Sequence, residues 1–210
     1  MISLSEILHT IAQALLIPCL IILIVLMAGA VWQIGDIVVE YIAERRKHKC
    51  EVPQLLRDVH TAGADGLADL IENSGLLRRQ KKALLELAES RGLPKDTLTA
   101  LAERLLATEE ARNARTTSVT DMIAKLGPMF GLLGTLIPLG PGIVALGQGD
   151  TVTLSESMNV AFDTTIAGVI SAAVASVISH IRKRWYNDDM VSLETLMEAV
   201  LEEVTSDVEG

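Results

Sequence analysis

Two charge-poor stretches in the second half of the chain carry threonines among small residues. The first contains Gly131-Leu-Leu-Gly-Thr135, and the second contains Ala161-Phe-Asp-Thr-Thr165-Ile-Ala-Gly168. A threonine hydroxyl both donates and accepts hydrogen bonds, but it is not a titratable carrier. In an apolar setting, such hydroxyls could support the passage of a proton or an ion if the carrier comes from elsewhere.

Long uncharged stretches surround both threonine motifs. Residues 126–149 and 157–181 contain no Lys, Arg or Glu and a single Asp. At 24 and 25 residues, each stretch is long enough to cross a bilayer as a helix, and the short connection predicts an antiparallel hairpin. Counted from the turn, Thr135 and Thr165 both lie at a depth of roughly 12 to 18 Å. The two hydroxyls are therefore predicted to lie at one level.

Small and polar residues follow both helices at helical spacing. On one helix the stripe consists of Gly131, Thr135, Pro138 and Gly142, and on the other of Thr165, Gly168, Ala172, Ser176 and Ser179. Such stripes are typical of tight helix packing and would equally suit the lining of a pore, so both interpretations stay open. The candidate pore-lining residues are Thr135, Thr165, Gly131, Gly134, Thr164, Gly168 and Ser176.

Asp163 is the one acid inside the hairpin helices. An ionised carboxylate in mid-bilayer costs roughly 2.5 to 3.5 kcal/mol on insertion scales. Asp163 is two residues from Thr165, so the two side chains point to nearly opposite helix faces. It also lies near the start of its helix, where the helix dipole favours an acid. A structural or interhelical role is favoured, and a direct role in ion transport is the alternative.

A third span is predicted near the N-terminus. Residues 7–35 contain no Asp, Glu, Lys or Arg, and the whole chain is 50% hydrophobic with 3% aromatic residues. A cleavable signal peptide is the alternative, but residues 1–10 lack Lys and Arg and the apolar stretch is too long. Pro18 is expected to kink this helix. We therefore predict an all-α membrane protein with three transmembrane helices.

The basic residues indicate the orientation in the membrane. All 18 Lys and Arg residues fall between residues 36 and 125 or in Arg182-Lys-Arg184. The positive-inside rule then predicts an outside N-terminus, a cytoplasmic connector and a cytoplasmic C-terminus. The net charge of -9 comes largely from the acidic tail, so no nucleic-acid surface is predicted.

The expected organisation has four parts. These are the first transmembrane helix (1–35), a cytoplasmic helical region (36–125), the transmembrane hairpin (126–181) and a cytoplasmic helical tail (182–210). A helix is predicted from Pro94 into the second span, and the earlier helices are interrupted near Asn73-Ser-Gly75. We expect the cytoplasmic parts to form an extended helical stalk, with too little chain in any piece for a separate core.

Other kinds of chemistry find little support in the sequence. Cys19 lies inside the first span and Cys50 in the basic flank, so no disulfide is expected. His48 beside Cys50 is too sparse for a zinc site, so no metal or cofactor is predicted. No nucleophile with a base and no phosphate-binding loop is visible, so the chain is not expected to be an enzyme.

The hairpin motifs resemble those of the proton-channel family of MotA, TolQ and ExbB. The similarity rests on Leu126-Gly-Pro-Met-Phe-Gly-Leu-Leu-Gly-Thr135 and on the second motif, Ala161 to Gly168. The three-span order and the large connector look more like the TolQ and ExbB branch than the four-span MotA branch. Asp163 departs from that branch, where an apolar residue is usual, and its presence leaves the identity of the ion open.

The resemblance implies a homopentamer enclosing a dimer of a single-span partner similar to ExbD, TolR or MotB. A proton or sodium gradient would drive motion of this assembly in the cell membrane. Thr135 and Thr165 match the family's pore threonines, which face the partner's essential aspartate. The alternative function is a non-conducting scaffold that anchors a partner helix and transmits force to it.

Overall fold

The computed structural model describes residues 4–42 and 52–209, except for the side chains of Ser5, Ala64, Asp65 and residues 207–209. Three segments of these residues are long and apolar enough to cross a membrane: 6–40, 95–147 and 151–206. The described residues contain helices and no strand, which confirms the predicted all-α class with three membrane helices. The helices are α1 (Leu4–Ala14), α2 (Leu16–Glu40), α3 (Val52–Asn73), α4 (Arg78–Glu89), α5 (Lys95–Gly147) and α6 (Thr151–Glu209).

A single residue, Leu15, separates α1 from α2. Pro18 explains this interruption, because it has no N–H for the carbonyl of Ala14 and its ring crowds that carbonyl. The chain stays close to helical on both sides. The N–H of Leu15 donates to the carbonyl of Ile11 at 3.1 Å, and the N–H of Cys19 donates to the carbonyl of Leu15 at 3.0 Å.

The predicted long helix into the second span is confirmed by α5, which has 53 residues. It begins at Lys95, because the carbonyl of Pro94 accepts the N–H groups of Thr97 and Leu98 at 2.9 and 3.0 Å. The helix continues through its three prolines. Each proline removes one backbone donor, so this apolar region of α5 has fewer internal hydrogen bonds than an uninterrupted helix. The prolines are Pro128, Pro138 and Pro141.

A tight turn joins α5 to α6. Gly149 has a φ of 76°, in the left-handed region that favours glycine. The Asp150 carboxylate then accepts the backbone N–H groups of Val152 and Thr153 at 3.1 Å each and the Thr153 hydroxyl at 2.6 Å. These bonds cap the start of α6 and lower the pKa of Asp150, with the Thr153 hydroxyl as the largest cause.

The chain divides into two compact units. The membrane unit comprises Met1–Ile37 and Thr117–Ile181, and the extramembrane unit comprises Val38–Thr116 and Arg182–Gly210. In the membrane unit, α2, α5 and α6 meet around a small buried core. Its members are Leu26, Ala30, Ile123 and Ala175, with Ile22, Ala124, Leu126, Phe130 and Val174 packed against them.

The extramembrane unit has its own hydrophobic core, so the expectation that this region lacks a separate core was wrong, whereas the predicted extension of two long helices beyond the membrane spans is confirmed. The core draws on α3, α4, the start of α5 and the end of α6, and Leu67, Leu87, Leu98 and Val204 are each fully buried. No single segment is long enough to enclose a core, but four segments that are distant in sequence do so together. The predicted break near Asn73-Ser-Gly75 is confirmed, because α3 ends at Asn73 and α4 begins at Arg78.

A buried ion pair joins the end of α2 to α6 within the extramembrane unit. Arg182 is 2% exposed, and its Nε donates to Glu40 Oε2 at 3.1 Å. Tyr186 is hydrogen-bonded to Glu40, and burial followed by the Glu40 charge raises the pKa of Tyr186 well above its usual range. Tyr41 and Trp185 stack beside the pair, with ring centroids 6.1 Å apart.

Replacement of Arg182 by Ala is expected to destabilise the extramembrane unit by about 3 kcal/mol, because it leaves the Glu40 carboxylate without its buried partner. Thermal unfolding of the purified protein in mild detergent would measure the loss. Arg184→Ala is the matched control, since Arg184 is exposed on the same helix. Equal stability of the two variants would contradict a stabilising role for the ion pair.

Candidate functional site

The two hairpin helices touch through their backbones. A methyl group built on Gly168 would lie 2.5 Å from the carbonyl oxygen of Gly127 and 2.8 Å from the Cα of Gly131. A methyl group on Gly127 would likewise lie 2.6 Å from the carbonyl oxygen of Gly168. Real carbon atoms do not approach so closely, so only glycine permits this contact between α5 and α6. We call this contact the glycine seam.

The seam continues towards the turn through a glycine and threonine contact. A methyl group on Gly134 would lie 2.7 Å from the Cβ of Thr164, so the threonine side chain occupies the space that Gly134 leaves open. Further along, a methyl group on Gly142 would lie 3.0 Å from the Cβ of Ser157. Small residues on each helix thus make room for the other helix over several turns.

These contacts also give the register of the hairpin. Gly131 faces Thr164 and Gly168, and Gly134 faces Thr164. Because the two helices are antiparallel, this register places Thr135 roughly opposite residue 163. Thr135 and Thr165 are then within about 3 Å of one level along the helix axes, in agreement with the level predicted from the sequence.

The threonine hydroxyls are bonded to their own helices. The Thr135 hydroxyl donates to the carbonyl of Leu132 at 2.6 Å, and the Thr165 hydroxyl donates to the carbonyl of Ala161 at 3.0 Å. Both residues are partly exposed on the surface of the single chain. Each oxygen keeps lone pairs that can accept a hydrogen bond from another molecule.

Thr164 differs from its neighbour Thr165. It is only 5% exposed, and its hydroxyl lies 2.9 Å from the carbonyl oxygen of Val160 and 3.0 Å from that of Ala161. Gly131, Gly134 and Gly168 are buried with it. These four candidate residues therefore meet inside the hairpin, where they set the distance between the helices.

The other two candidate residues lie away from the glycine seam. Ser176 and Asp163 are both exposed on the surface of the chain. Ser176 is therefore exposed, whereas Gly168, Ala172 and Ser179 of the same stripe are buried. The structure therefore divides the candidate residues into a buried group at the seam, two partly exposed threonines and two exposed polar residues.

Sequence reasoning missed several polar contacts of the membrane unit. The Thr120 hydroxyl, 0% exposed, donates to Gln33 Oε1 at 2.9 Å, and the Ser179 hydroxyl donates to Asp121 Oδ1 at 2.5 Å. These bonds join α2 to α5 and α5 to α6. The sequence contained a signal for the first of these bonds. Gln33 is a polar residue in an otherwise apolar helix, and a buried amide requires a hydrogen-bonding partner.

Charged and metal-binding groups are sparse around the hairpin. Between residues 157 and 181, Asp163 and His180 are the titratable side chains, and both are exposed. Within the described part of the chain, no group of three His, Cys, Asp or Glu side chains could hold a metal ion. Cys19 is buried, as predicted, and its thiol lies 3.3 Å from the carbonyl oxygen of Phe130. His48 and Cys50 lie outside the described residues.

Replacement of Gly168 by Ala is expected to separate the hairpin helices and to destabilise the membrane unit by about 1 to 3 kcal/mol, the usual cost of overpacking. Gly140→Ala is the matched control, because a methyl group on Gly140 would meet nothing within 4 Å. Thermal unfolding and assembly yield in detergent would compare the variants. If Gly168→Ala were as stable as Gly140→Ala, the seam would not depend on glycine.

Comparison with known proteins agrees with this architecture. The family model "MotA/TolQ/ExbB proton channel family" matches residues 70–195, which is more than half of the chain. No curated protein sequence matches it. Among solved structures, the fold is similar to the flagellar MotAB stator complex from Bacillus subtilis, with a TM-score of 0.59 and 19% identity over 91% of this chain and 77% of the other. The chain belongs to the MotA/TolQ/ExbB proton channel family.

Proposed function

We propose that this chain is the channel-forming subunit of a stator-type motor. In this proposal it uses a proton or sodium gradient, together with a single-span partner similar to ExbD, TolR or MotB, to drive mechanical work or transport. The observation that carries the proposal is the pair of partly exposed threonines at one level of the hairpin. Family membership supports proton conduction, and the threonines supply the residues on this chain that would take part.

The chemistry of the hairpin favours a carrier from another chain. The described hairpin offers hydroxyls at Thr135 and Thr165, whereas Asp163, the titratable side chain near this level, points to nearly the opposite face of α6 from Thr165. Because the hydroxyl hydrogens already bond to the helix backbone, the oxygens are ready to accept a hydrogen bond from a protonated carboxylic acid. A partner aspartate that passes this level would gain a hydrogen bond when it is protonated.

The buried candidates have a different role in this proposal. Gly131, Gly134, Thr164 and Gly168 hold α5 and α6 together, so that the two threonines keep their level and orientation. A pathway needs fixed geometry, because a hydrogen bond weakens steeply when the donor and acceptor move apart. Ser176, exposed about three turns along α6 from Thr165, would extend the same pathway.

The assembly proposed is a homopentamer around a dimer of the partner. One chain offers too few polar groups to enclose a pore, whereas five hairpins would surround a central helix pair. The ExbB and TolQ branch is preferred because the described residues contain three membrane helices. The proposed location is the inner or cytoplasmic membrane, with the N-terminus outside and the C-terminus in the cytoplasm.

Asp163 fits best as a contact between chains in this assembly. It is exposed on the single chain and lies inside an uncharged stretch, where lipid would disfavour a carboxylate. A neighbouring subunit or the partner would provide a polar environment. Its exposure is also compatible with the alternative, a direct role in ion transport.

Replacement of Thr135 or Thr165 by Val is expected to lower gradient-driven ion flux by about tenfold or more, because a hydrogen bond to a reacting acid is lost in a site with little water. The measurement uses vesicles that contain the protein and its partner. Ser at either position should retain more flux than Val, since it keeps the hydroxyl.

Two variants serve as controls for the threonine experiment. Thr164→Val should leave more flux than Thr165→Val, because Thr164 is buried against Gly134. Asp163→Asn should change the pentamer yield in native mass spectrometry more than the threonine variants do. Unchanged flux with Val at both Thr135 and Thr165 would refute the pore assignment and favour the non-conducting scaffold.

Cys50 provides a test of the proposed topology. It should react with membrane-impermeant thiol reagents only from the cytoplasmic side, because the basic connector is proposed to be cytoplasmic. Cys19 should stay unreactive from either side, since it is 1% exposed. Labelling of Cys50 from outside intact cells would reverse the orientation, and Cys50→Ser is the control for labelling elsewhere.

A further inference from the structure

A basic surface lies at one end of the α3–α4 hairpin. We call it the basic tip and define it by three exposed cations at the start of α4: Arg78, Arg79 and Lys82. Gln80, which lies between them, faces inwards. It is 7% exposed, and its Nε2 donates to the backbone carbonyl of Asp189 on α6 at 3.0 Å. This bond fixes the basic tip at one height along α6.

The position of the basic tip can be expressed as a distance along α6 from the uncharged stretch. Asp189 lies eight residues beyond Ile181, the last residue of the uncharged stretch. At the helical rise, this is a distance of about 12 Å along the helix. Arg79 also acts electrostatically on Tyr186, which is only five residues beyond Ile181. Long Lys and Arg side chains can bridge part of such a distance, because their apolar stems extend while the charged group stays in water.

The cations of the basic tip have acids nearby but form no ion pair with them. Within the described residues, no ion pair joins Arg78, Arg79 or Lys82 to a carboxylate, and a groove lined by Arg78 and Lys82 also contains Glu72, Glu86 and Glu89. Lys81 is different, because its Nζ donates to the backbone carbonyl of Glu72 at 2.7 Å and so helps to cap the end of α3. The three remaining charges are exposed to solvent and available to an anion.

A further exposed cation lies on α6 itself. Arg184 follows Ile181, the last residue of the uncharged stretch, by three residues. The rest of the tail is acidic, with no base after Arg184, and the chain as a whole carries a net charge of -9. Arg184 is therefore the last base of an overall acidic chain, close to the end of the uncharged stretch of α6.

We propose that the basic tip, together with Arg184, binds the phosphate groups of anionic phospholipids and holds the α3–α4 hairpin against the membrane surface. Anionic lipids attract nearby Lys and Arg side chains by about 1 kcal/mol each. The guanidinium groups of Arg78 and Arg79 also suit bidentate contacts with phosphate. This inference rests on the membrane helices and is independent of ion conduction.

Native mass spectrometry of the full chain provides the test. The protein is taken from mixed micelles of phosphatidylglycerol and phosphatidylcholine, and the preference for bound phosphatidylglycerol is measured. The combined variant Arg78→Gln, Arg79→Gln, Lys82→Gln should lose this preference by about fivefold or more, from the attraction expected for each cation. Circular dichroism and gel filtration verify that the variant is folded and assembled.

A matched variant removes the same charge far from the membrane. It carries Arg57→Gln, Lys95→Gln and Arg104→Gln, all at exposed positions. Arg104 is 22 residues before Leu126 on α5, about 33 Å along the helix. Arg57 is one turn from His60, which lies 3.6 Å from Glu203 near the far end of α6. This variant should keep the lipid preference.

A salt series on the unaltered protein gives an independent result. The preference for phosphatidylglycerol should disappear at about 1 M salt, where the Debye length falls to about 3 Å. If the preference survives at high salt, or if the matched variant loses it as much as the tip variant does, the proposal fails. Retention of the preference by a folded tip variant would also overturn it.

Discussion

Direct contact between two helix backbones is the constraint on which the membrane unit depends. Gly127 and Gly131 on α5 meet Gly168 on α6 at distances that exclude any side chain. In a bilayer, apolar surface gives little drive for helix association, because lipid tails are as apolar as leucine. Close approach instead provides extensive van der Waals contact, and it fixes the register that brings Thr135 and Thr165 to one level.

Polar side chains in the membrane unit find their hydrogen-bond partners on their own helix or on the helix packed against it. The hydroxyls of Thr164, Thr165 and Ser171 donate to carbonyls of their own helix, so none requires water. Thr120 with Gln33 and Ser179 with Asp121 are bonded across helices. Polar side chains can thus be present inside the unit, and the few that remain exposed are the natural candidates for contact with ions or with a partner chain.

The sequence predicted much of this fold because membrane helices have a simple signature. Uncharged stretches of sufficient length identified all three spans, and the break near Asn73-Ser-Gly75 and the start of α5 near Pro94 followed from turn and capping residues. The core of the extramembrane unit could not be predicted in the same way. Leu67 and Val204 are far apart in sequence, and periodicity within one helix shows which face is buried but not which helix covers it.

The candidate site was predictable in part for a similar reason. Spacing indicated that Thr135 and Thr165 lie at one level, but it could not separate Thr164 from Thr165, since adjacent residues on a helix differ by about 100° in direction. Only the position of α5 shows that Thr164 faces Gly134. The bond between Gln80 and Asp189 was equally invisible, because it links residues 109 positions apart.

The continuity of α6 has a mechanical consequence. It runs without interruption for 59 residues, from the turn after α5 into the extramembrane unit, a length of about 88 Å. An unbroken ladder of backbone hydrogen bonds makes such a helix resist bending. Within the membrane unit, α6 is therefore the stiffer of the two hairpin helices, since Pro128, Pro138 and Pro141 each remove a backbone donor from α5.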